Sequence, residues 1–130
     1  MSTSIIIVNH NTGNILQDCI RSVFTFEKSS DIEIIIIDNF STDDSKDIIS
    51  ELAGKYSNIK YEFTDELISF SAANNIGIKQ ASGEYLLIMN PDIIFTEPVL
   101  DKLIADMNSN EDIGAITPAL LGTDGNFQRN

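Results

Sequence analysis

Two short runs of β-branched residues constrain the fold of this chain more than any other feature of its sequence. The first reads Ser4-Ile-Ile-Ile-Val8 and the second reads Glu33-Ile-Ile-Ile-Ile-Asp38. A strand with one wet face would be polar at every second residue, whereas both runs are apolar at every inner position. Continuous apolar runs of this length are typical of strands that are covered on both faces. The sequence therefore predicts two central strands of a parallel sheet.

The segments that follow these runs show helical and then strand periodicity. A helix between the two strands would place on one face Ile15, Leu16, Cys19, Ile20, Val23 and Phe24. Ser41 and Asp44 resemble a capping box at the start of a second amphipathic helix. Residues 59–63 then alternate apolar with charged side chains, which predicts a strand with one wet face or near a sheet edge.

The second half of the chain continues the same alternation. We expect a helix over residues 71–81 with Gly83 as its C-terminal stop, and then a third strongly buried strand over 84–90. Glu97-Pro98 begins a fourth helix. The last predicted elements are an extended segment at 113–121 and a turn at Asp124-Gly125. This order predicts an α/β fold: an open, mainly parallel sheet with helices on both faces.

Size and charge narrow the possible functions. The 130 residues (14.4 kDa) are enough for one domain, 1–130, with one core. A net charge of -12 repels nucleic acids and anionic lipid surfaces, so any phosphate ligand needs a cation to offset the repulsion. One cysteine and one histidine exclude a disulfide and a zinc cluster. Because no apolar run approaches the length of a bilayer span, we expect a cytoplasmic protein, with a place at the inner face of the membrane left open.

Three polar clusters follow predicted strands, at the edge where parallel α/β sheets bind their ligands. They are Asn9-His10-Asn11, Asp38-Asn39 and Asn90-Pro91-Asp92. The glycine-rich loops that cradle phosphates in dinucleotide-binding proteins and P-loop proteins are missing. A pyrophosphate would then need a hard cation held by oxygen ligands, and Asp92 is the best candidate to anchor it.

Four segments together resemble the ordered motifs of family 2 glycosyltransferases, which are inverting nucleotide-sugar enzymes with the GT-A fold. They are 4–11, 36–43, 73–77 (Ala-Asn-Asn-Ile-Gly) and 83–92, which ends in Asn-Pro-Asp. That ending, followed by Gly114-Ala-Ile-Thr-Pro118 and Asp124-Gly125, is most similar to the rhamnosyltransferase-like branch. The resemblance covers nearly the whole chain.

The resemblance implies a role for particular residues in binding the donor. Asp38 would accept a hydrogen bond from the pyrimidine base, and the ring of His10 would pack on that base. Asn9 lies in the same cluster as His10 and is included among the donor-binding candidates. The structural alternatives are that Asp38 only receives backbone N–H groups beneath Ser41 and that His10 is a solvated loop residue.

The resemblance also implies a metal site at the end of the fourth strand. Asp92 would bind Mg²⁺ or Mn²⁺, and Asn90 would contact the ribose or a metal-bound water. Asn75 matches the Asn-x-Gly of the family, although a local helix role explains it equally well. The structural alternative for Asp92 is a turn aspartate after Pro91.

These residues lead to a functional hypothesis with alternatives. The chain would supply the donor nucleotide and metal site of an inverting glycosyltransferase that moves a sugar from a dTDP or UDP donor, with rhamnose the expected sugar, onto a polysaccharide precursor. No carboxylate matches the general base of the family, so the catalytic residue is unknown and the isolated chain is expected to lack turnover. The alternatives are a non-catalytic nucleotide-sugar-binding or assembly module and a flavodoxin-like binding domain. A half-covered sheet would favour a homo-oligomer.

Overall fold

The computed structural model describes residues 2–28 and 31–128, and the chain divides into two compact units, 1–96 and 97–130. The larger unit contains, in order, β1 (Thr3–Asn9), α1 (Gly13–Phe26), β2 (Ile32–Asp38), α2 (Ser45–Lys55), β3 (Ile59–Phe63), α3 (Phe70–Gln80) and β4 (Tyr85–Met89). The smaller unit contains α4 (Leu100–Asn108). Among the described residues, no helix is both long and apolar enough to cross a bilayer.

The four strands form one parallel sheet in the order β3-β2-β1-β4. The chain moves outward from β1 through β2 to β3, and then returns across the sheet to place β4 on the free side of β1. The strand order therefore reverses at β1. This confirms the prediction that β1 and β2 are central and that residues 59–63 form an edge strand.

Both faces of β1 and β2 are covered, as their unbroken apolar sequences predict. Val8, Ile35 and Ile37 pack against Ala73 of α3 on one face. On the other face the side chains of Ile5, Ile7, Ile34 and Ile36 have no exposed surface. Right-handed crossovers place α1 and α2 on this second face, because the chain runs outward before β3 and backward after it. α1 contacts α2, and α2 contacts β2 and β3.

Gly77 lets α3 approach the sheet closely. A Cβ atom added at this position would lie 2.6 Å from Cγ2 of Ile6 and 3.5 Å from Cγ1 of Ile37. Real Cβ atoms do not come this near to another carbon, so any side chain would push α3 away from β1. The glycine of the Asn-x-Gly segment thus has a packing role.

The prediction that residues 84–90 form a strand buried on both faces is wrong on one face. Leu86 and Ile88 of β4 are 47% and 51% exposed, while Met89 is buried. Register explains the difference: Leu86 and Ile88 pair with Ser4 and Ile6, so they share the face that α3 covers. α3 contacts β1 and β2, and this face of β4 is left half open.

Two predicted helix boundaries are also wrong. Ser41 does not cap α2: its hydroxyl donates to Asp38, and Asp44 at the N-cap position makes no side-chain capping bond. α3 ends at Gln80 with Ala81 as its C-cap, so Gly83 is not its stop. Instead the chain at Gly83 passes so close to β1 that an added Cβ would lie 2.5 Å from the main-chain nitrogen of Ser4.

The smaller unit contains less regular structure than the sequence predicts. Leu100 and Ile104 are the buried residues of α4. No strand forms over 113–121; an isolated antiparallel bridge joins Leu121 to Phe127 instead. The predicted turn at Asp124-Gly125 is confirmed, with Gly125 at φ 78°.

Glu33 ties several segments together at the amino ends of the strands. Its carboxylate accepts hydrogen bonds from Ser4 Oγ (2.6 Å), Ser82 N (2.6 Å) and Ser82 Oγ (2.8 Å), and pairs with Lys60 Nζ (2.6 Å). Partial burial raises the pKa of Glu33, but the hydrogen bonds from Lys60, Ser4 and Ser82 outweigh burial and lower the pKa to about 2. The charged form of Glu33 therefore stabilises the fold.

We expect Glu33→Gln to lower the free energy of unfolding at pH 7 by about 1 to 3 kcal/mol, since the variant loses a charged acceptor of four hydrogen bonds. The difference from wild type should shrink as the pH falls from about 4.5 through 2, because the unfolded chain takes up the proton near pH 4.5 and the folded protein takes it up only near pH 2. Urea unfolding at several pH values measures it. Glu51→Gln on the exposed side of α2 is the control. A difference that is independent of pH would contradict the role of the charge.

Two helical glycines provide a matched test of packing. Gly54 in α2 has no atom within 4 Å of an added Cβ, whereas Gly77 would clash with Ile6. We expect Gly54→Ala to stabilise the protein by about 0.5 to 1 kcal/mol and Gly77→Ala to destabilise it by about 1 to 3 kcal/mol. Thermal unfolding of both variants measures the two effects. Stabilisation by Gly77→Ala would show that α3 does not rest against β1 at this distance.

Candidate functional site

A buried hydrogen-bond network joins the carboxyl ends of β1 and β2. Asn9 and Asp38 are register partners with no exposed surface, and Asn9 Nδ2 donates to Asp38 Oδ1 over 2.8 Å. Ser41 donates to the same carboxylate through its hydroxyl (2.6 Å to Oδ1) and its backbone N–H (3.1 Å to Oδ2). The backbone N–H of Ser41 thus reaches Asp38, as the structural alternative expects. Its role in base recognition stays a prediction.

The loop after β1 is held against the loop after β2. Asn11, in the left-handed conformation at φ 53°, donates its N–H to Ser41 Oγ (2.8 Å) and accepts from the N–H of Thr42 (2.8 Å). The ring of His10 is exposed, and its Nδ1 donates to the main-chain oxygen of Asn39 (2.7 Å). The imidazole is therefore positioned at this edge and open to solvent.

Asn39 connects the end of β2 to the segment before α3. Its side chain donates to the carbonyl of Ile68 (2.8 Å) and accepts from the N–H of Ile68 (3.0 Å). The amide of Asn39 thus joins β2 to the segment before α3. Asp43 lies at the N-terminus of α2, where it accepts a hydrogen bond from the N–H of Ser45 (3.0 Å). The nearby hydroxyl of Ser45, followed by the backbone N–H groups of Ser45 and Gly13, lowers the pKa of Asp43.

Asn90 and Asp92 are both exposed just beyond β4. The chain after them packs on α1, since Phe95 donates its N–H to Ser22 Oγ over 3.0 Å. Burial, and after it the negative charge of Asp92, raises the pKa of the Cys19 thiol to about 12. Within the described residues, no group of three or more His, Cys, Asp or Glu side chains forms a metal cage.

One unusual residue at this edge escapes sequence analysis. Phe40 lies between Asn39 and Ser41 in the left-handed conformation (φ 59°), and its ring is 42% exposed. Both neighbours are buried. The sequence feature that could have indicated Phe40 is an aromatic residue inside an otherwise polar turn after a strand.

The structure thus brings most predicted site residues to one edge of the sheet. β2, β1 and β4 are adjacent and parallel, so Asp38, Asn9 and His10, and Asn90 and Asp92 all follow strands that end on the same side. Asn75 is exposed in the second turn of α3. A cavity of about 350 Å³ lies instead at the amino ends, lined by residues that include Glu33 and Lys60. Those two groups already pair with each other.

An open parallel sheet whose order reverses at β1, with polar loops at its carboxyl edge, defines an α/β ligand-binding domain of the doubly wound class. A family comparison makes the class specific. The profile described as Glycosyl transferase family 2 matches residues 4–130. The chain belongs to this family.

Named relatives agree with this family. The chain is 33% identical over 116 residues to the poly-beta-1,6-N-acetyl-D-glucosamine synthase of Staphylococcus epidermidis, which covers 88% of this chain and 27% of the relative. It is 37% identical over 95 residues to the poly(ribitol-phosphate) beta-glucosyltransferase of Bacillus spizizenii, covering 71% of this chain and 15% of the relative. The chain therefore spans less than a third of the length of these relatives.

Solved structures confirm the predicted GT-A fold. The crystal structure of S. aureus TarS 1-349 has a TM-score of 0.75 at 21% identity, over 85% of this chain and 33% of that one. Mannosyltransferase PcManGT from Pyrobaculum calidifontis, in complex with GDP-Man and Mn²⁺, also has a TM-score of 0.75, at 16% identity, over 81% of this chain and 32% of that one. None of the proteins named here is described as a rhamnosyltransferase, so that expected branch is not carried forward.

We expect Asp38→Ala to lower the free energy of unfolding by about 3 kcal/mol, because the buried donors of Asn9 and Ser41 would lose their acceptor. Urea unfolding measures the loss. The control is Asp106→Ala at an exposed position of α4, which should change stability by less than about 0.5 kcal/mol. If Asp38→Ala were as stable as wild type, the carboxylate would not be holding β1 and β2 together.

Proposed function

We propose that this chain holds a nucleoside-diphospho-sugar donor at the carboxyl edge of its sheet, as part of a glycosyltransferase that acts in polysaccharide synthesis. The observation that supports this most directly is the common edge at which β2, β1 and β4 end, with His10, Asn90 and Asp92 exposed there. Membership of glycosyl transferase family 2 supports the reaction class.

UDP is the first donor nucleotide to test. TarS has been solved in complex with UDP and with UDP-GlcNAc, and PcManGT with GDP-Man. Uracil and thymine present the same ring N–H to an acceptor on the protein, so dTDP remains in the comparison. We propose no particular sugar. The saccharide acceptor and the self-association of this chain remain predictions.

The residues at the end of β4 fit a cation that arrives with the diphosphate. Mg²⁺ retains several waters and is commonly bound through one or two carboxylates together with substrate phosphates. Asp92 offers one exposed carboxylate and Asn90 one exposed amide. The ion would neutralise phosphate charge that a chain of net charge -12 otherwise repels. Asp92 would hold the ion, and Asn90 would contact the ribose or a metal-bound water.

Turnover distinguishes the enzyme from the alternative of a non-catalytic binding module. In a displacement at the anomeric carbon, a base must take the proton of the acceptor hydroxyl. None of the site residues above is assigned that role. Release of UDP from UDP-GlcNAc by this chain would favour the enzyme, and cation-dependent binding without release would favour the module.

We expect this chain to bind UDP only with Mg²⁺ or Mn²⁺, and Asp92→Ala to weaken that binding at least about tenfold, since the ion loses its only charged protein ligand. The fold should be unaffected, because Asp92 is an exposed loop residue. Calorimetric titration with and without the cation measures this, with Asp106→Ala as the control. Equal affinity in Asp92→Ala and wild type would remove Asp92 from the site.

A further inference from the structure

The backbone of Phe40 is held in a conformation that its side chain disfavours. A φ of 59° is uncommon for any residue other than glycine, and it is rare for a bulky aromatic. Glycine or asparagine would occupy this position with less strain. Strained positions of this kind occur most often at functional sites. The backbone conformation therefore does not explain why this residue is a phenylalanine.

The residues around Phe40 enforce this conformation. The N–H of Phe40 donates to the main-chain oxygen of Asp38 (3.0 Å), which also accepts from the N–H of Thr64 (2.9 Å). The next N–H, that of Ser41, is held by Asp38 Oδ2. Asn39 on the other side is fixed to Ile68. The turn is thus fixed on both sides of Phe40.

Core packing does not account for the phenyl ring. The ring is 42% exposed, although its immediate neighbours Asn39 and Ser41 are each only 6% exposed. Burial of an aromatic side chain stabilises a fold in proportion to the area removed from water, and here much of that area stays in water. A strained, half-exposed ring is an unfavourable choice for stability alone.

The position of Phe40 suggests what the ring contacts. Phe40 follows directly after Asn39, whose main-chain oxygen accepts the hydrogen bond from the exposed His10 ring. The imidazole of His10 is therefore hydrogen-bonded to the residue that directly precedes Phe40 at the carboxyl edge. Exposed aromatic side chains at this edge suit a planar ligand, because stacking on an aromatic face is favourable for any nucleobase.

We propose that Phe40 is a contact for the nucleobase of the donor. This inference rests on the proposed function and adds a residue to it. An uncharged ring gives affinity to the base without adding to the negative charge that opposes the phosphates. It also explains how the base could be held while the carboxylate of Asp38 is occupied by Asn9 and Ser41.

The test replaces Phe40 by glycine, which removes the ring and relieves the strain at once. We expect Phe40→Gly to lower the affinity for UDP in the presence of Mg²⁺ by about tenfold, while its melting temperature stays equal to that of wild type or rises. The affinity for pyrophosphate with Mg²⁺, measured by competition against UDP, should not change, because this ligand has no base. Phe40→Tyr keeps a ring and should retain wild-type affinity for UDP.

Tyr61→Ala is the matched control. Tyr61 lies within β3 and is 41% exposed, nearly the same as Phe40, and its loss should leave the affinity for UDP unchanged. Unchanged UDP affinity in Phe40→Gly would overturn the inference, as would an equal loss for pyrophosphate or a lower melting temperature. If Phe40→Gly bound UDP with the same affinity as wild type, only the role of Phe40 would fail. If wild type bound none of UDP, dTDP or GDP, the proposed function would fail with it.

Discussion

The buried hydrogen bonds between Asn9, Asp38 and Ser41 are the interaction on which the rest of the carboxyl edge depends. Two adjacent strands end there in fully buried polar residues, and each group would be costly to bury without a partner. By satisfying each other, these side chains fix where β1 and β2 stop. They also fix the loops beyond these strands, because Asn11 donates its N–H to Ser41 and Phe40 lies directly between Asn39 and Ser41. His10 and Phe40 are therefore presented by loops that this network holds in place.

The sheet could be predicted from the sequence because the apolar runs of its central strands fit only strands that are covered on both faces. An unbroken series such as Ile34 to Ile37 must be covered on both faces, and the helical spacing between the runs supplies the cover. The exposure of β4 could not be predicted in the same way. Leu86 and Ile88 are as apolar as the residues of β1, and only the path of α3 over β1 and β2 decides that they remain half exposed. The position of a helix over a sheet leaves no local pattern in the sequence.

The sequence predicted where the candidate site residues lie, but it did not predict which contacts their side chains make. Polar residues after buried strands identified the edge, and the family motifs identified Asp38 and Asp92 within it. What the pattern cannot distinguish is a carboxylate that faces a ligand from one that faces its neighbours. Asp38 has no exposed surface and accepts three hydrogen bonds, while Asp92 is exposed. Phe40 was missed because its significance lies in a backbone angle.

The two edges of the sheet have opposite chemical characters. β3 ends the sheet with the exposed charges of Lys60 and Glu62, whereas β4 ends it with Leu86 and Ile88. Copies of a chain with a net charge of -12 repel one another in dilute buffer, but this repulsion is screened within about 10 Å at 0.1 M salt. The colloidal behaviour of the chain is thus governed by ionic strength. Added electrolyte therefore weakens the repulsion between copies of the chain, whereas the apolar character of β4 does not depend on salt.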